Sequence, residues 1–209
     1  VTLSNPVDAV VTVQFSTSDG TATTSDNDYT GITNQVVTFP IGSTTTQTVN
    51  VGITNDNKVE NNEVYNVALN SLSSSGRNVT FGTTTRTGTI TNDDAAVVTL
   101  TGTQSLPEGN SGTTPFVFNA TLNNPVQGGF TVAYTTNDGT ATTAGNDYVD
   151  NDASVAFTGT AGEVKMITVL GVGDLNIETD ESFTVSLGAI TGAPAGVTTA
   201  GSPQTGTLL

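Results

Sequence analysis

The stretch DGTATTSDNDY at residues 19–29 recurs almost unchanged as DGTATTAGNDY at residues 138–148, an offset of 119 residues. Outward from this block, VTVQF at residues 11–15 aligns with FTVAY at residues 130–134 at the same offset. After one deletion the offset becomes 118 and aligns NDNKVENNEVYNVAL, from residue 55, with GDLNIETDESFTVSL, from residue 173. Matches in one order along the chain indicate that a folding unit has been duplicated.

The blocks around the repeat have the alternation of β-strands. Apolar side chains occupy every second position at residues 11–15, 49–53 and 65–69, and again at 130–134, 167–169 and 183–187. This period predicts strands that bury one face, and the Gly, Asn, Asp and Thr residues between them favour turns. We therefore predict an all-β chain of two tandem immunoglobulin-like antiparallel β-sandwiches, residues 1–94 and 95–209.

The two copies differ at their ends. The second copy opens with residues 97–118, and the counterpart of this segment would precede Val1. We therefore predict that the first module lacks its first strand and exposes a sheet edge. The first copy ends in GTITNDD at residues 88–94, whereas the second copy ends without the acidic residues. We expect neighbouring repeats of the same chain on both sides as its partners.

Composition narrows the classes of partner. The chain has 19 acidic and 4 basic residues and a net charge of -15, which disfavours nucleic acid and anionic lipid. No apolar run approaches the roughly 18 residues of a membrane helix, and the first residues do not resemble a signal peptide. Direct membrane insertion is therefore not expected. Without cysteine, the chain has no disulfide and no thiolate metal site.

The acidic residues gather between the predicted strands. If loops at one end of a sandwich converge, their carboxylates repel each other, and Ca²⁺ relieves this repulsion by binding six to eight oxygens. An EF-hand does not fit, because a loop starting at Asp26 has Val37 where that motif requires a bidentate Glu. The alternative, that these acids only favour turns and solvent, remains open on this pattern.

The ordered set DGTATTSDNDY, VTF, the acidic turn from residue 55, and GTITNDD resembles the Calx-beta motif, and the resemblance covers nearly the whole chain. Calx-beta domains are seven-stranded immunoglobulin-like sandwiches of sodium/calcium exchangers and, in tandem, of large bacterial surface proteins. The resemblance implies a Calx-beta type fold and Ca²⁺ as the bound ion, held in loops at one end of the module near the junction with the next domain.

The resemblance also implies a ligand set for each copy. These metal ligands would be Asp28, Asp56, Glu60, Asp93 and Asp94 in the first copy, and Glu108, Asp147, Asp174 and Glu178 in the second. Strong binders begin the acidic turn with consecutive aspartates, whereas here Asn55 and Gly173 precede the aspartates. Because each replacement removes a charge, we expect weak affinity, about 10⁻⁴ to 10⁻³ M.

Four further acids receive other assignments. Asp19 and Asp138 stand in Asp-Gly pairs, which are typical of tight turns, and we interpret them as turn formers and not as ligands. Glu63 and Glu181 are either ligands or acceptors that brace a loop, and the sequence does not decide between the two.

The function expected from this pattern is structural. Asp93 and Asp94 directly precede the second copy, so an ion bound there would also fix the angle of the second module. We therefore expect a calcium-binding spacer or adhesive repeat segment of a large extracellular or cell-surface protein, bacterial in type. Its Ca²⁺ ions would make the loops and the interdomain joint rigid.

Three other functions are open at this point. A ligand-binding adhesin module would contact a glycan or protein, but the chain has no Trp and few aromatics outside predicted core positions. A regulatory calcium sensor is a second alternative. An enzyme using Glu178 and Glu181 would need a cleft and sugar-stacking aromatics, which the sequence does not suggest, so we expect no enzyme.

Overall fold

The computed structural model describes residues 1–209 and confirms the prediction of an all-β chain. It contains no helix that could cross a membrane. In chain order the strands are β1 (Val11–Ser18), β2 (Gln35–Phe39), β3 (Glu63–Ser73), β4 (Thr85–Ile90), β5 (Ala96–Thr101), β6 (Gln104–Leu106), β7 (Thr113–Leu122), β8 (Phe130–Asp138), β9 (Tyr148–Val149), β10 (Ala153–Phe157), β11 (Val164–Val172), β12 (Glu181–Thr191), β13 (Val197–Ala200) and β14 (Gln204–Leu208).

The chain divides into two compact units. The first comprises Val1–Asp56 and Asn62–Asn92, and the second comprises Asn57–Asn61 and Asp93–Leu209. The main division thus falls after residue 92, two residues before the position expected from the repeat. The short segment Asn57–Asn61 belongs to the second unit because its central residue, a fully buried valine, forms a parallel bridge there.

The second unit is a two-layer sandwich. One sheet has the order β10-β8-β12-β14-β6 and the other the order β13-β5-β7-β11-β9. Inward side chains alternate with outward ones, as in β8, and the inner faces of both sheets form one apolar core. The ring of Phe183 lies at its centre, stacked on Tyr148 with centroids 4.7 Å apart and in edge contact with Phe116 at 5.3 Å.

The first unit has one regular sheet, of order β2-β1-β3-β4. The repeat offsets make it the counterpart of β10-β8-β12-β14 in the second unit. Val11, Val13 and Phe15 of β1 are buried, as the alternation predicts. The facing layer is irregular, because residues 1–10 and 44–52 form no strand.

The strand predicted at residues 49–53 is therefore wrong, apart from an isolated bridge between Ile53 and Tyr29. Its counterpart, β11, pairs along its whole length with β7. At the repeat offset, residues 120–122 of β7 correspond to residues 1–3, which form no strand, and residues 49–53 have no strand beside them for a hydrogen-bonded ladder. A strand alternation cannot form a ladder on its own, because the ladder bonds are made between strands.

The repeated Asp-Gly turns have the structural role expected of them. The carboxylate of Asp138 accepts a hydrogen bond from the Tyr148 hydroxyl at 2.6 Å, and Asp19 accepts one from Tyr29 at 2.8 Å. These bonds lower the pKa of both aspartates. A Cβ atom at Gly139 would overlap the carbonyl oxygen of Ser182, so the turn packs directly against β12.

Candidate metal centre

Five carboxylates of the second unit come together from three separate segments. Glu108 lies between β6 and β7, and Asp147 directly precedes β9. Asp174 and Glu178 lie between β11 and β12, and Glu181 is the first residue of β12. We call these five residues the acidic cluster. Four of them were predicted as ligands from the resemblance, and the structure places those four near one another.

The centre of the acidic cluster is compact. Carboxylate oxygens of Asp147, Glu178 and Glu181 all lie within 4.8 Å of one another. Partial burial, and then the charge of Asp147 and a hydrogen bond to it, raise the pKa of Glu181. Burial and the charges of Asp174, Glu178 and Asp147 likewise raise the pKa of Glu108. Burial and repulsion between the carboxylates therefore both oppose the ionisation of Glu108 and Glu181, and a bound cation would offset both effects.

The position of Asp147 is fixed by its own turn. Its Oδ2 atom accepts a hydrogen bond from the backbone N–H of Thr142 at 2.7 Å, and its carbonyl oxygen accepts one from Val172 N–H at 2.8 Å. The neighbouring Tyr148 is buried in the core and bonded to Asp138. The repeated block therefore presents one carboxylate in a defined position at the end of β11.

The acidic turn of the second unit, which begins at Gly173, is held by hydrogen bonds between residues close in sequence. Asp174 accepts hydrogen bonds from the backbone N–H and the side-chain amide of Asn176, both at 2.6 Å. A Cβ atom at Gly173 would lie 2.6 Å from the carbonyl oxygen of Glu108 and closer still to that of Gly109. Residue 173 is therefore glycine because two backbones meet there, and an aspartate would not fit at this position without a backbone shift.

The acidic cluster fits a hard divalent cation. Its donors are carboxylate oxygens, the ligand type that Ca²⁺ prefers, and the chain has no Cys or His side chain. Glu108, Glu178 and Glu181 line a cavity of about 230 Å³ together with Asn176, Leu209 and neighbouring residues. This space is large enough for an ion with bound water.

No basic side chain is bound at the acidic cluster. The chain has 4 Lys and Arg residues in all. Lys165 binds Glu163 at 2.7 Å, Lys58 binds Glu60 at 2.7 Å, and Arg77 binds Asp8. Arg86 donates to the carbonyl oxygen of Thr85 at 3.3 Å. The negative charge of the cluster is therefore left for an external cation to neutralise.

The ligands predicted for the first copy are distributed differently. Asp28 is the counterpart of Asp147, is largely buried, and accepts the same kind of bond, from Thr23 N–H at 2.7 Å. Asp26, which the ligand prediction did not include, has a carboxylate oxygen within 4.8 Å of Asp28. Asp56 is exposed in the first unit.

The other three first-copy ligands fall in the second unit. Glu60 lies in the segment Asn57–Asn61 and forms an ion pair with Lys58, so a cation binding there would compete with the ammonium group. Asp93 and Asp94 precede β5 and are not among the carboxylates gathered around Asp147. Their role as ligands stays a prediction from the sequence.

Glu181 is the member of the acidic cluster that sequence reasoning left undecided. Its only signal was its alignment with Glu63, which is a buried acid at the start of the matching strand β3. At residue 181 the strand pairs with Leu208 of β14, which sets the place of the side chain. That placement depends on sheet register and not on the local sequence.

Comparisons with known proteins match the chain to one family model and to several solved structures. A family model described as the Calx-beta domain matches residues 1–95 and again residues 91–208. A solved structure described as CBD12 from CALX1.2 aligns over 99% of this chain and 90% of its own, with 21% identity and a TM-score of 0.42. The apo form of the Calx CBD1 domain aligns over 56% and 97%, with 22% identity and a TM-score of 0.47. The Calx CBD2 domain aligns over 54% and 85%, with 16% identity and a TM-score of 0.42. No curated protein matches the sequence.

Proposed function

Because the chain belongs to the Calx-beta domain family over almost its whole length, we propose that it is a calcium-binding structural module. The observation that carries this proposal is the acidic cluster, which brings together carboxylates from three segments of the chain. Three of these carboxylates lie within 4.8 Å of one another, and the others interact with them electrostatically. A cluster of this kind is unfavourable when fully ionised and becomes favourable when a cation binds it.

The residues of the acidic cluster would contribute to ion binding in two ways. Asp147, Glu178 and Glu181 would supply the closest oxygens, since they already lie within 4.8 Å of one another. Glu108 and Asp174 interact electrostatically with this centre and would add charge or further oxygens. Bound Ca²⁺ would supply the positive charge that the carboxylate oxygens of the acidic cluster coordinate.

Calcium binding would stabilise loops that otherwise have little apolar packing. Leu175 and Ile177, between β11 and β12, are almost fully exposed, so few core contacts hold this segment. An ion bound to Glu178 and Asp147 would tie the segment to β9. At a calcium concentration 100 times the Kd, the folded unit gains about 2.7 kcal/mol of stability.

We extend this proposal to the setting of the protein. A weak site, with a Kd of about 10⁻⁴ to 10⁻³ M, is filled at the calcium levels typical of extracellular modules. A spacer or adhesive repeat segment of a cell-surface protein, bacterial in type, uses calcium in this way to stay rigid. Stiffening of the interdomain joint through Asp93 and Asp94 belongs to the same proposal and remains a prediction from the sequence.

Thermal unfolding of the 209-residue chain tests the proposal. We expect 5 mM Ca²⁺ to raise the unfolding midpoint relative to chelator, and the same concentration of Mg²⁺ to raise it much less, because Mg²⁺ requires a smaller octahedral site and keeps its water. Hydrogen exchange should become slower at residues 173–181 when Ca²⁺ is added. Equal midpoints in Ca²⁺ and chelator, with unchanged exchange in this segment, would leave a metal-free sandwich.

A further inference from the structure

One outer face of the second unit carries no charged side chain. The sheet β13-β5-β7-β11-β9 packs its inner face on the core, where Phe118 and Ile167 are buried. Side chains alternate along a strand, so every second residue points outward. The one charged residue of these five strands, Lys165, lies on the inner side, with its ammonium group 6.0 Å from the ring centroid of Phe157. The outward face is therefore uncharged, although the chain has 19 acidic and 4 basic residues.

Large apolar side chains lie exposed on this outer face. Met166 of β11 is 72% exposed, and Val164 and Leu170 project from the same side of the same strand. Leu170 is paired with Val149 of β9 on one side and with Pro115 of β7 on the other, so three apolar residues form a row across three strands. We call six residues of this face the apolar stripe: Pro115, Val117, Val149, Val164, Met166 and Leu170.

The repeat shows which apolar positions of this sheet the core requires. The inward positions 167 and 169 are apolar, and so are their counterparts at residues 49 and 51. The outward positions differ between the copies, since at the offsets of 118 and 119 residues the first copy has Thr46, Thr48, Gly52 and Thr30 in place of Val164, Met166, Leu170 and Val149. Packing within the sandwich does not account for the exposed apolar residues, whereas contact with another protein surface does.

The outer face is large enough for a specific but weak interface. Strand β7 has 10 residues and β11 has 9. At about 3.4 Å per residue and about 4.8 Å between strands, the face is about 30 Å long and about 20 Å wide. Because the outer strands are shorter, two such faces in contact bury about 1,000 Å² in total, which is the lower limit for a specific interface.

We propose that the apolar stripe joins two copies of this chain, face to face, through their second units. Two chains with a net charge of -15 repel each other, so the contact of least repulsion uses the face without charge. A second copy presents the same face, and a two-fold contact then places apolar residues against apolar residues without burying a charge. The stripe contains none of the acidic cluster, so this proposal does not depend on calcium.

The first test measures the mass of the 209-residue chain by light scattering in chelator, from about 1 µM to about 1 mM, the range of a weak interface. The mass should rise toward that of two chains. Raising NaCl from about 0.05 M to about 0.5 M should strengthen the association at least twofold, because salt screens the repulsion between the acidic chains. A mass of one chain at the highest concentration, in low and in high salt, would overturn the proposal.

The second test locates the contact. The chain has a single methionine, so a ¹³C label on its methyl group gives one NMR signal, which belongs to Met166. This signal should shift or broaden over the concentration range in which the mass doubles. A mass that doubles while the methyl signal stays unchanged would place the contact on another surface and would also contradict the proposal.

A pair of matched variants completes the test. Met166→Lys places a charge in the apolar stripe, and dimerisation should weaken at least tenfold although the net negative charge of the chain falls. Thr48→Lys makes the same change of charge at the aligned, exposed position of the first copy and should dimerise at least as well as the parent chain. Both variants should keep the unfolding midpoint of the parent, because both side chains are exposed. Equal dimerisation of the two variants would overturn the proposal.

Discussion

Replacing Glu181 by glutamine should stabilise the second unit without calcium, and calcium should cancel most of that gain. Glutamine keeps the shape of the side chain and can still donate a hydrogen bond to the carboxylate of Asp147, but it removes one negative charge from the acidic cluster. In chelator, at pH 8, the substitution removes repulsion from Asp147 and Glu178, so the folded unit should become more stable.

The magnitude follows from the spacing of the carboxylates. Two unit charges 4.8 Å apart repel by about 1 kcal/mol when the medium between them is close to water. Removing one member of the triad removes two such pairs, and the exposure of Glu178 favours the water-like limit. We expect a gain of about 1 to 2 kcal/mol, which is an increase of about 4 to 8 °C in the unfolding midpoint for a unit of this size.

With calcium the variant and the parent chain should have nearly equal stability. The variant replaces a carboxylate by a neutral amide, whose oxygen is a weaker ligand, so the affinity for Ca²⁺ should fall about tenfold, which reduces the calcium-induced stabilisation by about 1.4 kcal/mol. Differential scanning calorimetry of the 209-residue chain, in chelator and in 5 mM Ca²⁺, measures both effects. Hydrogen exchange in β7 and β8 identifies the transition of the second unit.

The matched control is Asp180→Asn, the neighbouring acid in the chain, which is exposed and lies outside the cluster. It makes the same change of net charge and should leave both midpoints nearly unchanged. If Glu181→Gln destabilises the chelated protein, or if both variants respond alike, repulsion within the cluster does not contribute to the stability of the second unit and the reasoning is refuted.

Three further predictions concern the same unit. In chelator the unfolding midpoint of the second unit should fall as pH rises from about 4.5 toward neutrality, because folding raises the pKa values of Glu108 and Glu181. The contribution of these two groups to stability is present below their unfolded pKa and is lost as pH rises through their folded pKa. Calorimetry at several pH values should show this fall of the midpoint, and Ca²⁺ should remove it. Tyr148→Phe should lower the midpoint of urea unfolding, since the carboxylate of Asp138 loses the Tyr148 hydroxyl as its donor while the ring stack remains, and an unchanged midpoint would contradict the role given to that bond. Gly173→Asp should lower the unfolding midpoint in chelator instead of strengthening calcium binding, because the new side chain meets two backbone carbonyls; tighter binding of Ca²⁺ by this variant would show that the loop can move.

The parts of the fold that depend on local pattern could be predicted from the sequence. The alternation in β1, β8 and β12 identified these strands, because each has one buried face. The same alternation at residues 49–53 did not produce a strand. A period of two describes which side chains can be buried, but a ladder also needs a neighbouring backbone with free donors and acceptors.

In the candidate site, too, the residues fixed by local sequence could be predicted and those fixed by strand pairing could not. Asp147 could be expected near other acids because the repeated turn fixes it, and the structure places it beside Glu178. Glu181 belongs to the acidic cluster because of the register of β12 with β14, and no local sequence pattern predicts that register. The ion pair that Glu60 forms with Lys58 also follows from tertiary placement, although the two residues are close in sequence.

The central claim is that the acidic cluster of the second unit binds calcium. Isothermal titration of Ca²⁺ into the 209-residue chain, compared with Asp147→Asn and with Asp180→Asn, tests it most directly. We predict that Asp147→Asn loses one binding site or weakens it at least tenfold, while Asp180→Asn binds as the parent chain does. Calcium binding by Asp147→Asn that equals the parent in stoichiometry and affinity would contradict the claim.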